Sequence, residues 1–200
     1  MMEAIGTKNT IVFGKVVEIA DGKGAAAGKV TNVTIKGQIW NGSANEDREI
    51  NVAFWDNSDK GGANMAERAK IIKEDSYIMA RCSVANGKYS GQDFKFKGQY
   101  VIDAENDQKT SITLGNVTHK LDSNGKMRYS VPVESYVNGE NVTVWQGVNF
   151  TQKKAAAAEK IFAKDDKSVQ AILIGFAPET NTVGDRDYTN VVVYQFEIVK

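Results

Sequence analysis

Two hundred residues make one large domain or two small ones, and a chain that is 42% hydrophobic and 25% charged has ordinary globular composition. Lys plus Arg number 25, as do Asp plus Glu, so a uniformly basic polyanion binder is excluded while a local basic groove is not. The only cysteine is Cys82 and the only histidine His119. A disulfide framework is therefore excluded, and a His-based metal site or a Ser-His-Asp triad would rest on one residue in a polar stretch.

Residues 1–10 lack the apolar core of a signal peptide, and no run approaches the ~20 apolar residues of a membrane span. The expectation is a cytoplasmic protein without a membrane partner. Cys82 sits in an apolar strand pattern and reads as a buried, reduced thiol.

The first predicted strand covers 11–19, with Gly14 at its centre suggesting a bulge or sharp bend. Residues 21–29 form a Gly/Ala/Lys connection ending in Gly28-Lys29. It is not a phosphate-binding P-loop, because Lys23 stands where that motif needs its first Gly and Val30 where it needs Ser or Thr. The second strand covers 30–40, with Val33, Ile35, Gly37 and Ile39 on one face. Its other face carries Lys36 and Trp40. After a turn over 41–47, the third strand gives the clearest pattern in the chain. Ile50, Val52 and Phe54 point inward while Asn51, Ala53 and Trp55 point outward.

A loop over 56–63 leads to a helix at 64–73 with Asn64 as N-cap and Met65, Ala69 and Ile72 on one face. The fourth strand, 77–84, has Ile78, Ala80, Cys82 and Val84 inward, and Tyr77, Met79, Arg81 and Ser83 outward. Residues 85–93 read as a hairpin loop bearing Asn86-Gly87, Lys88 and Tyr89. The fifth strand covers 94–102, and the polar stretch 103–109 reads as a linker between domains spanning 1–105 and 106–200.

The order then repeats. Residues 111–117 echo 10–16, glycine included, and 127–137 form a second strand with Tyr136 where Trp40 stood. The third strand has Val142 and Val144 inward and Trp145 outward, matched to Trp55. A helix covers 153–164 with Ala158, Ile161 and Phe162 on one face. A fourth strand covers 169–176, a long hairpin loop 177–188 and a fifth strand 189–199. The turn-like Asp185-Arg186-Asp187 suggests neither a metal nor an acid–base site. The fold class expected is thus all-β with short helices: two tandem five-stranded OB-fold barrels (Greek-key), each with a helix between strands three and four.

An aromatic and basic sheet face suits stacking of flat bases and pairing of phosphates. In the first half the candidates are Lys36, Trp40, Arg48, Trp55, Arg81, Lys88 and Tyr89. In the second half they are Arg128, Tyr136 and Trp145, on a face weakened by Glu134 and Pro132. The alternative is that each Trp packs under a loop or against another chain.

The first half resembles the bacterial and phage single-stranded DNA-binding proteins over residues 10–103. Val12-Phe13-Gly14 fits the family's opening strand and Trp40 its strand-two aromatic. Val52-Ala53-Phe54 fits the third strand, Ala66-Glu67-Arg68-Ala69 the helix, and residues 73–78 the approach to strand four. Arg48 stands where the family usually has a Trp. The family's Gly-rich linker and acidic tail have no counterpart before Lys200, and two barrels in one chain depart from its one-barrel subunit. The resemblance implies a non-catalytic protein that binds single-stranded DNA, or RNA, with little sequence preference, without a cofactor or metal. It implies a role in phage or bacterial DNA metabolism, in the nucleoid or an infected host's cytoplasm, and a homo-oligomer, dimer favoured. The alternative function is a structural or protein-interaction module using the same faces.

Overall fold

The computed structural model describes the chain except residues 1, 7, 41–44, 104–108, 138–139, 164–167 and 200. At 38–40, 45 and 135–137 it describes the backbone alone. The expected linker therefore lies mostly outside the described residues. The chain divides into two compact units, Met1–Phe96 and Lys97–Lys200.

In the first unit, β1 (Glu3–Ile5) is a short strand laid antiparallel on the start of β2 (Thr10–Asp21). β2 then pairs antiparallel with β3 (Val30–Trp40), and β3 with β4 (Asn45–Trp55). The helix α1 (Met65–Ala69) follows, then β5 (Tyr77–Ala85) and β6 (Lys88–Lys95). β6 pairs antiparallel with β5 and parallel with β4, and β5 pairs with β2. Pairing β5 to β2 closes the ring β2-β3-β4-β6-β5. This is the five-stranded OB-fold barrel expected from the order of elements.

Strand alternation filled this barrel as expected except at Val84, near the end of β5, which was expected inward and is 44% exposed. Val33, Ile35, Ile50, Val52, Phe54, Ile78, Ala80 and Cys82 are buried in one core with Met65, Ala69 and Ile72 from the helix region. Asn64 caps α1, its Oδ1 accepting from the Glu67 N–H at 2.9 Å. Thr31 Oγ1 donates to the Ala66 carbonyl at 2.9 Å, tying the helix to β3. Gly14 adopts φ 153°, and a Cβ there would lie 2.4 Å from the Lys36 carbonyl oxygen. The expected irregularity follows just after it, as a register shift between Val16 and Glu18. Met79 was expected outward but is fully buried, as are Ile11 and Phe13 of β2. The start of β2 is apolar on both faces, so alternation alone could not assign it a solvent side; Met79 shares its face with Arg81 and Ser83 but stands opposite the buried Phe13.

The end of this unit corrects two expectations. The loop over 85–93 is a two-residue turn: Asn86 and Gly87 both have positive φ, 51° and 71°, the twist that suits a tight hairpin. Lys88 and Tyr89 are therefore strand residues of β6. The fifth strand expected over 94–102 is two strands. β6 ends at Lys95, and β7 (Gly98–Asp103) pairs with β8 (Lys109–Leu121) of the second unit. The division between units thus falls ahead of the boundary at 105/106 read from the sequence.

The second unit repeats the plan. β8 pairs with β9 (Met127–Val137), and β9 with β10 (Glu140–Phe150). After α2 (Gln152–Phe162) come β11 (Val169–Phe176), β12 (Glu179–Val183) and β13 (Arg186–Ile198). β13 pairs antiparallel with β11 and parallel with β10, and β11 with β8, closing a second ring. Its core holds Val117, Val131, Val148, Ala158, Phe162, Leu173 and Val193. The long loop expected over 177–188 is instead the β12–β13 hairpin. Ile161, expected on the buried face of α2, is 36% exposed. Val144, expected inward, is 38% exposed. It keeps the parity of the buried Gln146 and Val148 but stands farther from the stretch where β10 meets β13.

Two outcomes are expected from this packing. A Cβ at Gly91 would lie 2.3 Å from the buried Phe54 ring, so Gly91→Ala should cost about 1–3 kcal/mol in urea unfolding of the first barrel. Burial pushes the Cys82 thiol from 9.0 up to about 12. The unfolded chain therefore ionises first as pH rises. The stability Cys82 contributes is full below pH about 9 and lost between about 9 and about 12. Cys82→Ala should flatten that limb of the stability–pH profile.

Candidate nucleic-acid interface

The outward face of β3 and β4 is a two-stranded surface built by alternation. Val30, Asn32, Thr34 and Lys36 stand opposite Trp55, Ala53, Asn51 and Glu49. Trp55 is the last residue of β4 and remains 40% exposed. From Trp55 to Glu49 the face runs about 20 Å at ~3.3 Å per residue. Its middle is made of small and amide side chains, Ala53, Asn51 and Asn32, while Val30, opposite Trp55, is buried, and a Cβ on Gly22 would lie 2.4 Å from it. Asn51 Nδ2 reaches Thr34 Oγ1 at 3.4 Å.

A groove of about 440 Å³ opens beside this face. Barrel closure explains it. β4 and β6 pair only at Val52–Tyr89, Ala53–Ser90 and Phe54–Gly91. Before Val52 the ladder cannot continue, because β6 begins at Lys88 straight after the Asn86-Gly87 turn, and the space beside β4 is lined by Asn32, Arg48, Asn51, Ala53, Gly87, Lys88 and Tyr89 among others. Of the residues expected to act together, Arg48, Lys88 and Tyr89 share this groove.

Arg48 and Tyr89 reach it differently from expectation. Arg48 is opposite Gly37, on the parity of Ile50 and Val52, so it belongs to the inner face of the sheet and not to the face of Lys36 and Trp55. Tyr89 also turns toward the core and packs against it. Both are held by β1. Arg48 Nη1 donates to Glu3 Oε1 at 3.1 Å and the Tyr89 hydroxyl to Glu3 Oε2 at 2.8 Å. Burial, then the Glu3 hydrogen bond, raises the Tyr89 phenol above its ordinary range. Glu3 was missed by sequence reading because three residues are too few to display a strand period.

Lys36 is ion-paired with Asp47 at 3.2 Å. Trp40 ends β3 opposite Asn45, but its side chain lies outside the described residues. Arg81 stands on β5 opposite Ile11 and Asp93, away from the groove's lining.

The second unit departs further. Trp145 is 58% exposed and pairs with Pro132, just past Ser130, where β9's pairing with β8 ends. It does not occupy the place of Trp55. Trp55 follows the last β4–β6 pair, Phe54–Gly91, whereas Trp145 precedes the first β10–β13 pair, Gly147–Asn190. The sequence match failed because the two third strands enter their barrels at different points. Arg128 lines a separate cleft of about 610 Å³ with Tyr129, Asn149, Phe150, Glu159 and Asn190, and its Nε donates to Asp122 at 2.9 Å. The Tyr136 side chain lies outside the described residues. Among the described residues no cluster of three or more His, Cys, Asp or Glu is placed to hold a metal, and no helix is long and apolar enough to cross a membrane.

No protein-family model matches the chain, and no curated protein is significantly similar to it. Among solved structures, it is similar to the wild-type single-stranded DNA binding protein from Thermus aquaticus. The identity is 12% and the TM-score 0.32, over 98% of this chain and 94% of that one. At that TM-score the likeness decides nothing about function, which rests on the residues above.

Trp55 and Trp145 should both be open to acrylamide in the isolated protein. Trp55→Phe and Trp145→Phe should each lower the quenchable share of tryptophan emission, read by Stern–Volmer analysis. Unchanged quenching in Trp55→Phe would mean that another chain covers this face.

Proposed function

We propose that this chain is a non-catalytic protein that binds single-stranded DNA with little sequence preference, on the outer face of β3–β4 and the groove beside it. The observation that carries the reading is the half-exposed Trp55, closing a flat face of small and amide residues next to a groove holding Arg48 and Lys88. Bases stack on Trp55 and on Trp40, the side chains of Asn32 and Asn51 supply hydrogen bonds, and Lys36, Arg48 and Lys88 meet phosphates. Arg81, Tyr89, Arg128, Tyr136 and Trp145 play lesser parts. The protein serves phage or bacterial replication, recombination or repair, in the cytoplasm, as a dimer. Coating keeps the strand unpaired and needs no cofactor.

A second reading is a structural or protein-interaction module. The ion pairs of Lys36 with Asp47 and Arg48 with Glu3 favour it, because each leaves less cationic charge for phosphates.

Salt separates the two. Titration with oligo-dT at low salt should quench tryptophan emission, and added NaCl should reverse it, since phosphate contacts release counterions. Trp55→Ala should weaken binding by about 1–3 kcal/mol. Parallel titration with oligo-U separates DNA from RNA. No quenching at micromolar strand overturns the nucleic-acid reading and leaves the protein-interaction one.

A further inference from the structure

β1 is a three-residue strand whose position is well held. Its ladder pairs Glu3, Ala4 and Ile5 with Val12, Ile11 and Thr10. Met2, just before it, is fully buried, and its carbonyl accepts from the Phe13 N–H at 2.8 Å. The backbone thus delivers Glu3 to the end of the barrel where Arg48 and Tyr89 stand. Each carboxylate oxygen takes one of them, and the Glu3 side chain is 15% exposed against 39% for Arg48. Two oxygens bridging a guanidinium and a phenol present the acceptors that two oxygens of a backbone phosphate would present.

The second barrel has the same strap without the charge. Glu3 lies opposite Val12, two residues before Gly14; Gln99 of β7 lies opposite Thr113, two residues before Gly115. Gln99 Nε2 donates to Gln146 Oε1 at 2.9 Å and to Thr113 Oγ1 at 2.8 Å, and Gln146 is buried. An amide at this position therefore makes a strap just as well. The carboxylate in the first barrel is not required to hold the strand, and it sits where Arg48 enters the groove.

We propose that Glu3 is a specificity-determining residue that competes, from within the chain, for the phosphate contact at Arg48. The inference rests on the strand-binding reading above. A phosphate takes the Arg48 Nη1 contact by displacing the Glu3 carboxylate, while β1 stays anchored through Met2. Polyanions that offer charge but cannot also stack on Trp55 are then disfavoured, because part of their electrostatic gain is already met inside the protein.

The test is oligo-dT titration of the full chain and three variants: Glu3→Gln, Arg48→Gln and the double change. Glu3→Gln keeps the size and an oxygen for Tyr89 but removes the charge. It should bind at least about fivefold tighter at low salt, with the slope of log K against log salt steeper by about 0.7, one phosphate on a single strand. Arg48→Gln should cost more in the Glu3→Gln background than in the wild type, which general loss of negative charge cannot produce. Glu74→Gln, an exposed acid after α1, makes the same change in net charge elsewhere and should not match the gain. If Glu3→Gln binds like the wild type, or gains no more than Glu74→Gln, the competitor role is wrong while strand binding stands. If wild type and Glu3→Gln both fail to bind, both readings fall. Binding by Glu3→Gln alone would overturn strand binding by the wild type and, with it, the competitor role that rests on it.

Discussion

Closure of the first barrel depends on three residue pairs. Val52, Ala53 and Phe54 of β4 run parallel to Tyr89, Ser90 and Gly91 of β6. Where β6 meets Phe54 it needs a residue without a side chain: a Cβ on Gly91 would fall inside contact distance of three ring carbons. Phe54 then meets Phe94 edge to face at 5.7 Å, and the core is complete. The pairing stops where β6 begins, at Lys88 after the Asn86-Gly87 turn, and the groove beside Asn51 and Arg48 opens there. The candidate interface thus follows from how the ring is closed.

The electrostatics follow from the same geometry. A chain with equal numbers of cations and anions has no excess charge to spread over a surface, so local pairing decides what each groove offers. In the first barrel two of the cations near the candidate face are held by acids: Lys36 by Asp47, and Arg48 by Glu3. Exposed pairs of this kind are weak and exchange readily with a ligand phosphate. The Glu3 pair is different in kind, since the carboxylate is mostly covered, fixed by a strand and shared with Tyr89. On the proposed reading, affinity for a polyanion is limited from inside the protein, and the face that carries Trp55 gains relative importance. The two barrels differ most at this point, with a charged strap in one and a neutral, buried amide pair in the other.

Much of the first barrel was legible in the chain. A strict period of two over Ile50, Val52 and Phe54 can bury one face only in one way, and those residues are buried. It also leaves Trp55 half exposed. The cap at Asn64, the buried Cys82 and the bend after Gly14 were legible for similar local reasons. Arg48 was misplaced because its parity was overlooked in favour of its charge. Tyr89 was misplaced because an Asn-Gly pair was allowed a loop, when its conformation permits a turn of two residues. Trp145 was misplaced because matching residue types does not reveal at which residue a strand joins its ring.

By itself, then, the sequence determined the inward face of the clearest strands, such as Ile50, Val52 and Phe54, where the helices start, and the order strand-strand-strand-helix-strand-strand in each half. These are local properties, set by side-chain period and by capping within a few residues. Only the tertiary structure decided that residues 98–103 belong with the second unit, that β4 pairs with β6 only from Val52 to Phe54, and that Glu3 meets Arg48 and Tyr89. Those contacts join positions far apart in the chain. They are chosen by how the ring closes, and closure depends on packing that no short window of sequence contains.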